Sequence, residues 1–413
     1  MRIFDKIASI SKDCRILYNL SLKTTQKYLI FIKRNQNMKK VENRTPDQEK
    51  KRRKIFYSLI VAACVIYVFA SAQPLSQEIH FVPAWTIDVD KNSRNERILE
   101  RLSQEDGAAK LFEESIPYKL GQTAGYFTKN GTVLSYKSFP YKATISQNLY
   151  TLYGTHSSNI SVFDRMGSEL FKIKQTGFPY FSGDDIFLFL PGGASFAKID
   201  SNGDESWRYE GSSPITAFSS SKGGVLVGFA DGNLIAFNGE DGSILYNFVP
   251  GGSEYPVVLG AGISATGKYI ATVSGQEKQR FILAKRESGR ADVVFHKYLD
   301  EETSRQLLIK FSRDEGSVYY SYAGGLGILN CKTLQDSWIS IEGEILSIQE
   351  DEEGTAFILS RNGGTYSVSV VEPFDEYSGS FSFDASHAFI EVKDGSLFVG
   401  HDTKISRIDI QHK

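Results

Sequence analysis

Seven times after residue 140 the chain repeats one phrase: a short apolar strand, a tight polar turn and a second apolar strand. The best-marked strand of each copy lies in Gln147–Gly154, Asp184–Gly192, Gly223–Gly232, Gly267–Gly275, Gly316–Gly325, Gly354–Gly364 and Gly395–Thr403, with successive starts 37, 39, 44, 49, 38 and 41 residues apart. One unit cannot bury its own apolar faces, so units of this length must stack on one another.

Several short strands per unit at this period predict an all-β fold, a single β-propeller. The unit at 213–250 shows four strands: Pro214–Ser219 (A), Gly224–Ala230 (B), Asn233–Asn238 (C) and Ser243–Val249 (D). Asp231-Gly232 and Asp241-Gly242 are turn dipeptides, in which Gly supplies positive φ and Asp bonds its own backbone. The outer hairpin recurs in register: Gly167 to Phe171, Gly203 to Trp207 and Gly242 to Tyr246 each place an aromatic four residues after a glycine, and Asp336-Ser337-Trp338 echoes them weakly. These rings are expected to wedge between neighbouring blades.

Complete units are expected near 141–176, 177–212, 213–255, 256–305, 306–341 and 342–385. Ser386–Lys413 offers only three strands, Ala388–Val392, Ser396–Gly400 and Lys404–Ile410. An N-terminal strand must close such a ring, because a closed ring leaves no free edge. Thr132–Phe139, directly before the first unit, is assigned that role. This predicts seven four-stranded blades in a propeller over 121–413, or eight if Ala84–Phe127 builds another sheet. Residues 73–120 are read as a linker: Ala84–Asp90 alternates like a strand, and Arg94–Ser115 has an amphipathic helical pattern.

Charge divides the chain. Of 47 Lys/Arg and 49 Asp/Glu, residues 1–54 hold 16 and 5, which leaves 31 and 44 for the remainder. The leader is thus +11 and the remainder −13. An acidic body argues against binding of a nucleic-acid duplex by phosphate neutralisation. Lys50–Lys54 reads KKRRK, and Ile55–Ala72 follows with 18 residues free of charge, just long enough to cross a bilayer. A basic cluster before the run puts the N-terminus in the cytoplasm, with the body beyond the bacterial inner membrane, in the periplasm. Residues 55–72 read as an uncleaved signal anchor. Ala70-Ser71-Ala72 also fits a cleaved signal peptide, and Val61-Ala62-Ala63-Cys64 resembles a lipobox followed by apolar rather than polar residues. Met38 opens a compact leader of its own, so 1–37 is either untranslated or a basic cytoplasmic segment at the membrane surface.

The stretch DGNLIAFNGEDGSILYNF (231–248) resembles the repeats of the quinoprotein-dehydrogenase-like propeller superfamily. Asn238, Asp241 and Tyr246 stand where that pattern has Asp, Thr and Trp. GKYIATVSG (267–275) is more similar to a WD40-type strand. The resemblance implies either an enzyme using pyrroloquinoline quinone or a non-catalytic scaffold such as the bacterial outer-membrane assembly propeller. Fold alone does not choose between them.

The search for chemistry assigns no residue to catalysis, cofactor or metal. Asp200-x-Asn202-Gly203-Asp204 faintly resembles a calcium loop but lacks the completing Glu and reads as a turn. His80, His156, His296, His387, His401 and His412 have no partner at zinc spacing. Gly192-Gly193 and Gly324-Gly325 are turn glycines, not phosphate cradles. Cys331, the one cysteine of the body, reads as a small buried residue; Cys14 and Cys64 precede it. Two acidic clusters, Asp300-Glu301-Glu302 and Glu350-Asp351-Glu352-Glu353, fall in connections that emerge on opposite propeller faces. Each reads as solvated loop charge or as a patch for a basic partner.

These readings predict a membrane-tethered scaffold whose propeller faces bind other envelope or membrane proteins. The alternative is a small-molecule or redox propeller related to quinoprotein dehydrogenases. A eukaryotic secretory propeller is a third option, given the Asn130-Gly131-Thr132 and Asn159-Ile160-Ser161 triplets.

Overall fold

A computed structural model describes residues 54–62, 79–92, 112–154, 158–287, 290–373 and 376–412. The chain divides into two compact units, Met1–Ser76 and Gln77–Lys413. In the first, the described residues form a helix over 54–62. Among the described residues no helix is long and apolar enough to cross a membrane, and the rest of the apolar run, 63–72, lies outside them.

The second unit is all-β. Among the described residues its strands form eight sheets, seven of four strands and one of three. The six units expected between 141 and 385 are six of the sheets, here blades 2 to 7, each running A to D in chain order. Every marked strand of the repeat falls on a B strand, for example Gly224–Phe229 and Ala356–Asn362. The reason is burial: B and C strands have a neighbouring blade on both sides, so they read as continuous apolar runs. D strands have one side open and alternate, as Glu376–Asp384 does. The core is accordingly divided into layers between blades. One such layer joins Phe187, Phe196 and Trp207 of blade 3 to Val225, Val227, Phe229 and Phe237 of blade 4.

Two expectations are corrected. Among the described residues the blade count is eight, the alternative rather than the first expectation of seven: Ile116–Leu120, Thr123–Phe127 and Val133–Ser138 form a sheet of their own, blade 1, over 116–138 rather than 84–127. The closing strand is Ile79–Asp88, not Thr132–Phe139. Blade 8 comprises Ala388–Lys393, Ser396–His401, Lys404–His412 and then Ile79–Asp88, paired antiparallel from Ile79 with His412 to Asp88 with Lys404. Pro83, which has no N–H, sits on this outer strand at an irregularity between Pro83 and Trp85, where a lost ladder bond is tolerated. Val133–Ser138 is instead the outer strand of blade 1 and leads into blade 2.

Blade 1 differs from the others in direction. Ser115 precedes its first strand and accepts bonds from Gln147 and Lys393, which lie at the A–B ends of blades 2 and 8. Gly121, after that strand, lies against His387 at the start of blade 8. The first strand of blade 1 therefore runs opposite to the A strands beside it, and its three described strands have the sense of B, C and D. The seam with blade 8 is apolar, with Val89, Ile116, Tyr118, Phe127, Phe398 and Ile405 in one cluster. Trp85 seals it: the ring meets Phe127 and Phe398 at 6.4 and 6.1 Å, and Nε1 donates to Lys129 O at 3.2 Å.

Candidate functional site

The innermost strands meet around the axis, and several of their polar side chains reach to the next blade in chain order. Lys119 Nζ of blade 1 donates to Ala143 O of blade 2 at 2.7 Å, and Thr144 Oγ1 of blade 2 to Pro179 O of blade 3 at 2.9 Å. Ser221 Oγ of blade 4 donates to Ser264 O at the end of the A strand of blade 5 at 2.7 Å. Lys310 Nζ of blade 6 donates to Ile348 O of blade 7, Gln349 Nε2 of blade 7 to Glu391 Oε2 of blade 8 at 3.2 Å, and Lys393 Nζ of blade 8 to Ser115 O at 3.1 Å. Between blades 3 and 4 the link is aromatic, with Tyr180 edge-on to Phe218 at 5.4 Å.

Blades 6 to 8 concentrate charge there. Glu350, 8% exposed, accepts Arg313 N–H at 2.8 Å. Burial raises its carboxyl above the usual range, against the pull of Arg313 and Lys310. Burial likewise raises Glu391, opposed by Lys310, Lys393 and Arg313. Lys310 is pushed down by burial and held up by Glu391 and Glu350. The positive charge of Lys310 favours the ionised form of both carboxyls while burial disfavours it, and the Lys310 hydrogen bond ties blade 6 to Ile348 O of blade 7. Sequence reading missed this cluster. Its signal was a charged residue inside an otherwise apolar A strand, as in Ile309-Lys310-Phe311 and Ile390-Glu391-Val392.

Two clefts open on the face that carries the A–B and C–D turns. One of about 450 Å³ lies between blades 6 and 7 and is lined by Asp314, Lys332, Glu350, Glu353 and Glu372 among others. The other, of about 390 Å³, is bounded by Asp185, Lys198, Lys222, Asn238 and Arg286 at blades 3 to 5. Much of their charge is already engaged. Asp314 accepts Ser312 Oγ at 2.6 Å and Gly316 N–H at 2.8 Å, which hold its carboxyl low, and Lys198 pairs with Asp185 at 2.8 Å.

The residues singled out from sequence are not brought together. Asp200 caps its own turn, accepting Asn202 and Asp204 N–H at 2.8 and 2.9 Å, and these bonds lower its carboxyl. Asp351 does the same for Glu353 and Thr355, and Glu302 accepts Lys278 N–H. The two acidic clusters lie in a D–A and an A–B connection, at opposite ends of the blades. Among the described residues no group of three or more His, Cys, Asp or Glu is placed to hold a metal. Cys331 is 4% exposed, and burial pushes its thiol up to about 12.

The outer-hairpin rings behave as wedges where the next blade offers a turn glycine. Trp207 packs on Phe196 and Phe237 at 5.4 and 6.1 Å and donates to Gly239 O of blade 4 at 3.3 Å, and Phe171 lies under Gly203 of blade 3. Trp338 is 54% exposed and wedges nothing.

Eight sheets closed on themselves by an N-terminal strand define an eight-bladed β-propeller. The chain belongs to the β-propeller proteins: a family model described as a beta-propeller protein matches residues 47–413. The chain is 29% identical over 367 residues to an uncharacterized protein of Treponema pallidum (strain Nichols), covering 89% of this chain and 96% of that one. Its fold is similar to the crystal structure of BamB from Moraxella catarrhalis, with a TM-score of 0.54 at 12% identity, over 80% of this chain and all of that one.

Proposed function

We propose that this propeller is a non-catalytic protein-interaction scaffold of the bacterial envelope. It belongs to the scaffold branch of the quinoprotein-like superfamily and is held at the outer side of the inner membrane by residues 55–72, with the N-terminus cytoplasmic. The observation that carries the reading is the commitment of the axial side chains. Lys119, Thr144, Ser221, Lys310, Gln349 and Lys393 bind the next blade along, so the polar groups nearest the axis serve the frame. Recognition is then left to the loops at the two ends, as in other folds where a rigid scaffold displays variable connections. The basic leader and apolar run support the tether, and the likeness in fold to BamB supports the scaffold class.

Cross-linking in native membranes followed by co-purification and mass spectrometry tests this. The expected result is a reproducible set of envelope proteins joined to the loops, with the full-length chain retained in the membrane fraction. Recovery of the lone protein would overturn the scaffold. A shortened, soluble product ending the leader at Ala72 would replace the anchor by a cleaved signal peptide.

A further inference from the structure

Most connections between blades are short, as at 174–177, 211–214, 341–343 and 385–387, whereas those at 249–257 and 299–308 are more than twice as long. Both flank blade 5 and both emerge at the end that carries the B–C turns. In repeat folds, insertions confined to one end mark the binding face. The B–C turn of blade 5 ties the two loops into one platform. Gly275 and Gln276 N–H donate to Val257 O and Tyr255 O at 2.8 and 2.9 Å. On the other side Lys278 N–H donates to Glu302, and Gln279 exchanges bonds with Thr303 through its amide.

This pinned platform displays apolar surface. Val249, Tyr255 and Tyr298 are 54%, 56% and 50% exposed. Gly252 packs beside Tyr298, where an added Cβ would meet Arg280 Cδ at 3.1 Å and the Tyr298 ring at 3.6 Å, and the Arg280 guanidinium lies 5.9 Å from the centre of that ring. Exposed Tyr on a rigid base gives large contact area at low entropic cost, the usual make-up of an interface anchor. The rim is acidic, with Glu254, Glu277, Asp300, Glu301 and Glu302 all exposed. Of the nearby cations, Arg280 is taken up by Tyr298 and Pro250 O, and Arg305 reaches Glu344 at 3.7 Å, which leaves Lys278 as the opposing charge.

We infer that the blade 5 platform, around Tyr255 and Tyr298, is a docking surface for a Lys/Arg-bearing segment of a partner protein. The apolar stems of that segment cover the two rings and its charges meet the acidic rim. Cations are attracted to the faces of exposed Tyr rings, and complementary rim charge steers association and fixes register. The inference rests on the scaffold reading and names the face and partner chemistry that reading needs.

The test places a photoreactive amino acid at Tyr255, at Tyr298 and, on the opposite end of the propeller, at Glu240, each in the full-length chain in native membranes. The expected adducts form from 255 and 298, map by mass spectrometry to a segment of net positive charge in another protein, and fade as salt is raised. The pair Glu254→Lys and Glu301→Lys, two exposed positions, is expected to lower adduct yield at least about tenfold while the melting temperature stays unchanged. Adducts from Glu240 alone would overturn this surface and leave the scaffold standing. Adducts to a neutral or acidic segment, to a second copy of the chain, or insensitive to both salt and charge reversal would also overturn it. Silence from all three positions would overturn both readings.

Discussion

Trp207 of blade 3 lies directly beneath Gly242 of blade 4: a Cβ added at Gly242 would stand 2.6 Å from the indole ring. Gly242 also has φ +70°. The turn glycine of one blade and the outer ring of the previous blade thus form a single contact, repeated by Phe171 and Gly203. Gly242→Ala is expected to cost about 2 kcal/mol or more, because overpacking adds to backbone strain. Gly183→Ala, at φ +61° with no atom within 4 Å, meets only the strain and should cost about 1 kcal/mol. Urea unfolding of the two variants checks the difference.

Removal of the closing strand should be far more damaging than its length suggests. A chain beginning at Gln77 keeps Ile79–Asp88 and is expected to run as a compact monomer in gel filtration. A chain beginning after Asn92 exposes the edge of Lys404–His412 and uncovers Phe398 and Phe127, which Trp85 packs against. It should aggregate or pair edge to edge. A well-behaved monomer from the shorter chain would contradict the assignment of this strand to blade 8.

Glu391 carries a pH dependence of definite sign. Burial raises its carboxyl in the folded state, so the folded protein holds that proton more tightly than the unfolded chain does. Its contribution is therefore fully present below the ordinary carboxylate value and is lost as pH rises through the raised folded value. Glu391→Gln should flatten the loss of thermal stability as pH rises above the ordinary carboxylate range. Lys310→Met removes the cation that opposes the shift and should steepen it.

Cys331 should report on unfolding. With its thiol buried and raised to about 12, the Cys331 peptide is expected to stay unlabelled by iodoacetamide at neutral pH until denaturant opens blades 5 and 6. Labelling of the native protein, mapped by mass spectrometry, would show the site to be open.

The period of the repeat was legible because B strands are buried on both faces and bounded by glycine turns, a pattern that burial and φ > 0 impose together. The first blade escaped it. Pro117 and Lys119 interrupt its first strand, and three strands of B, C and D sense do not copy the phrase set by a four-stranded unit. The need for an N-terminal closing strand was legible too, but not which strand fills it. Adjacency favoured Thr132–Phe139, whereas the Lys404–His412 strand, with Ile405, Ile408 and Ile410, needed a partner of its own length, and Ala84–Asp88 of the alternating stretch Ala84–Asp90 belonged to it, the remainder turning into a short helix. The axial cluster of Lys310, Glu350 and Glu391 was invisible for a different reason: its members come from the inner strands of three successive blades and approach one another only when those blades stack.

That Ile79 pairs with His412 also sets an order of events on the ribosome. Of the described strands, the first to be synthesised is the last to find its neighbour, because that neighbour is Lys404–His412, the last strand of the ring in chain order. Through almost the whole of translation blade 8 does not exist, and Ile79–Asp88 waits with its ladder groups unpaired. A mutation within Lys404–His412 therefore acts on the first strand of the propeller, and the nascent protein has an interval of vulnerability that lasts until Lys404–His412 has emerged.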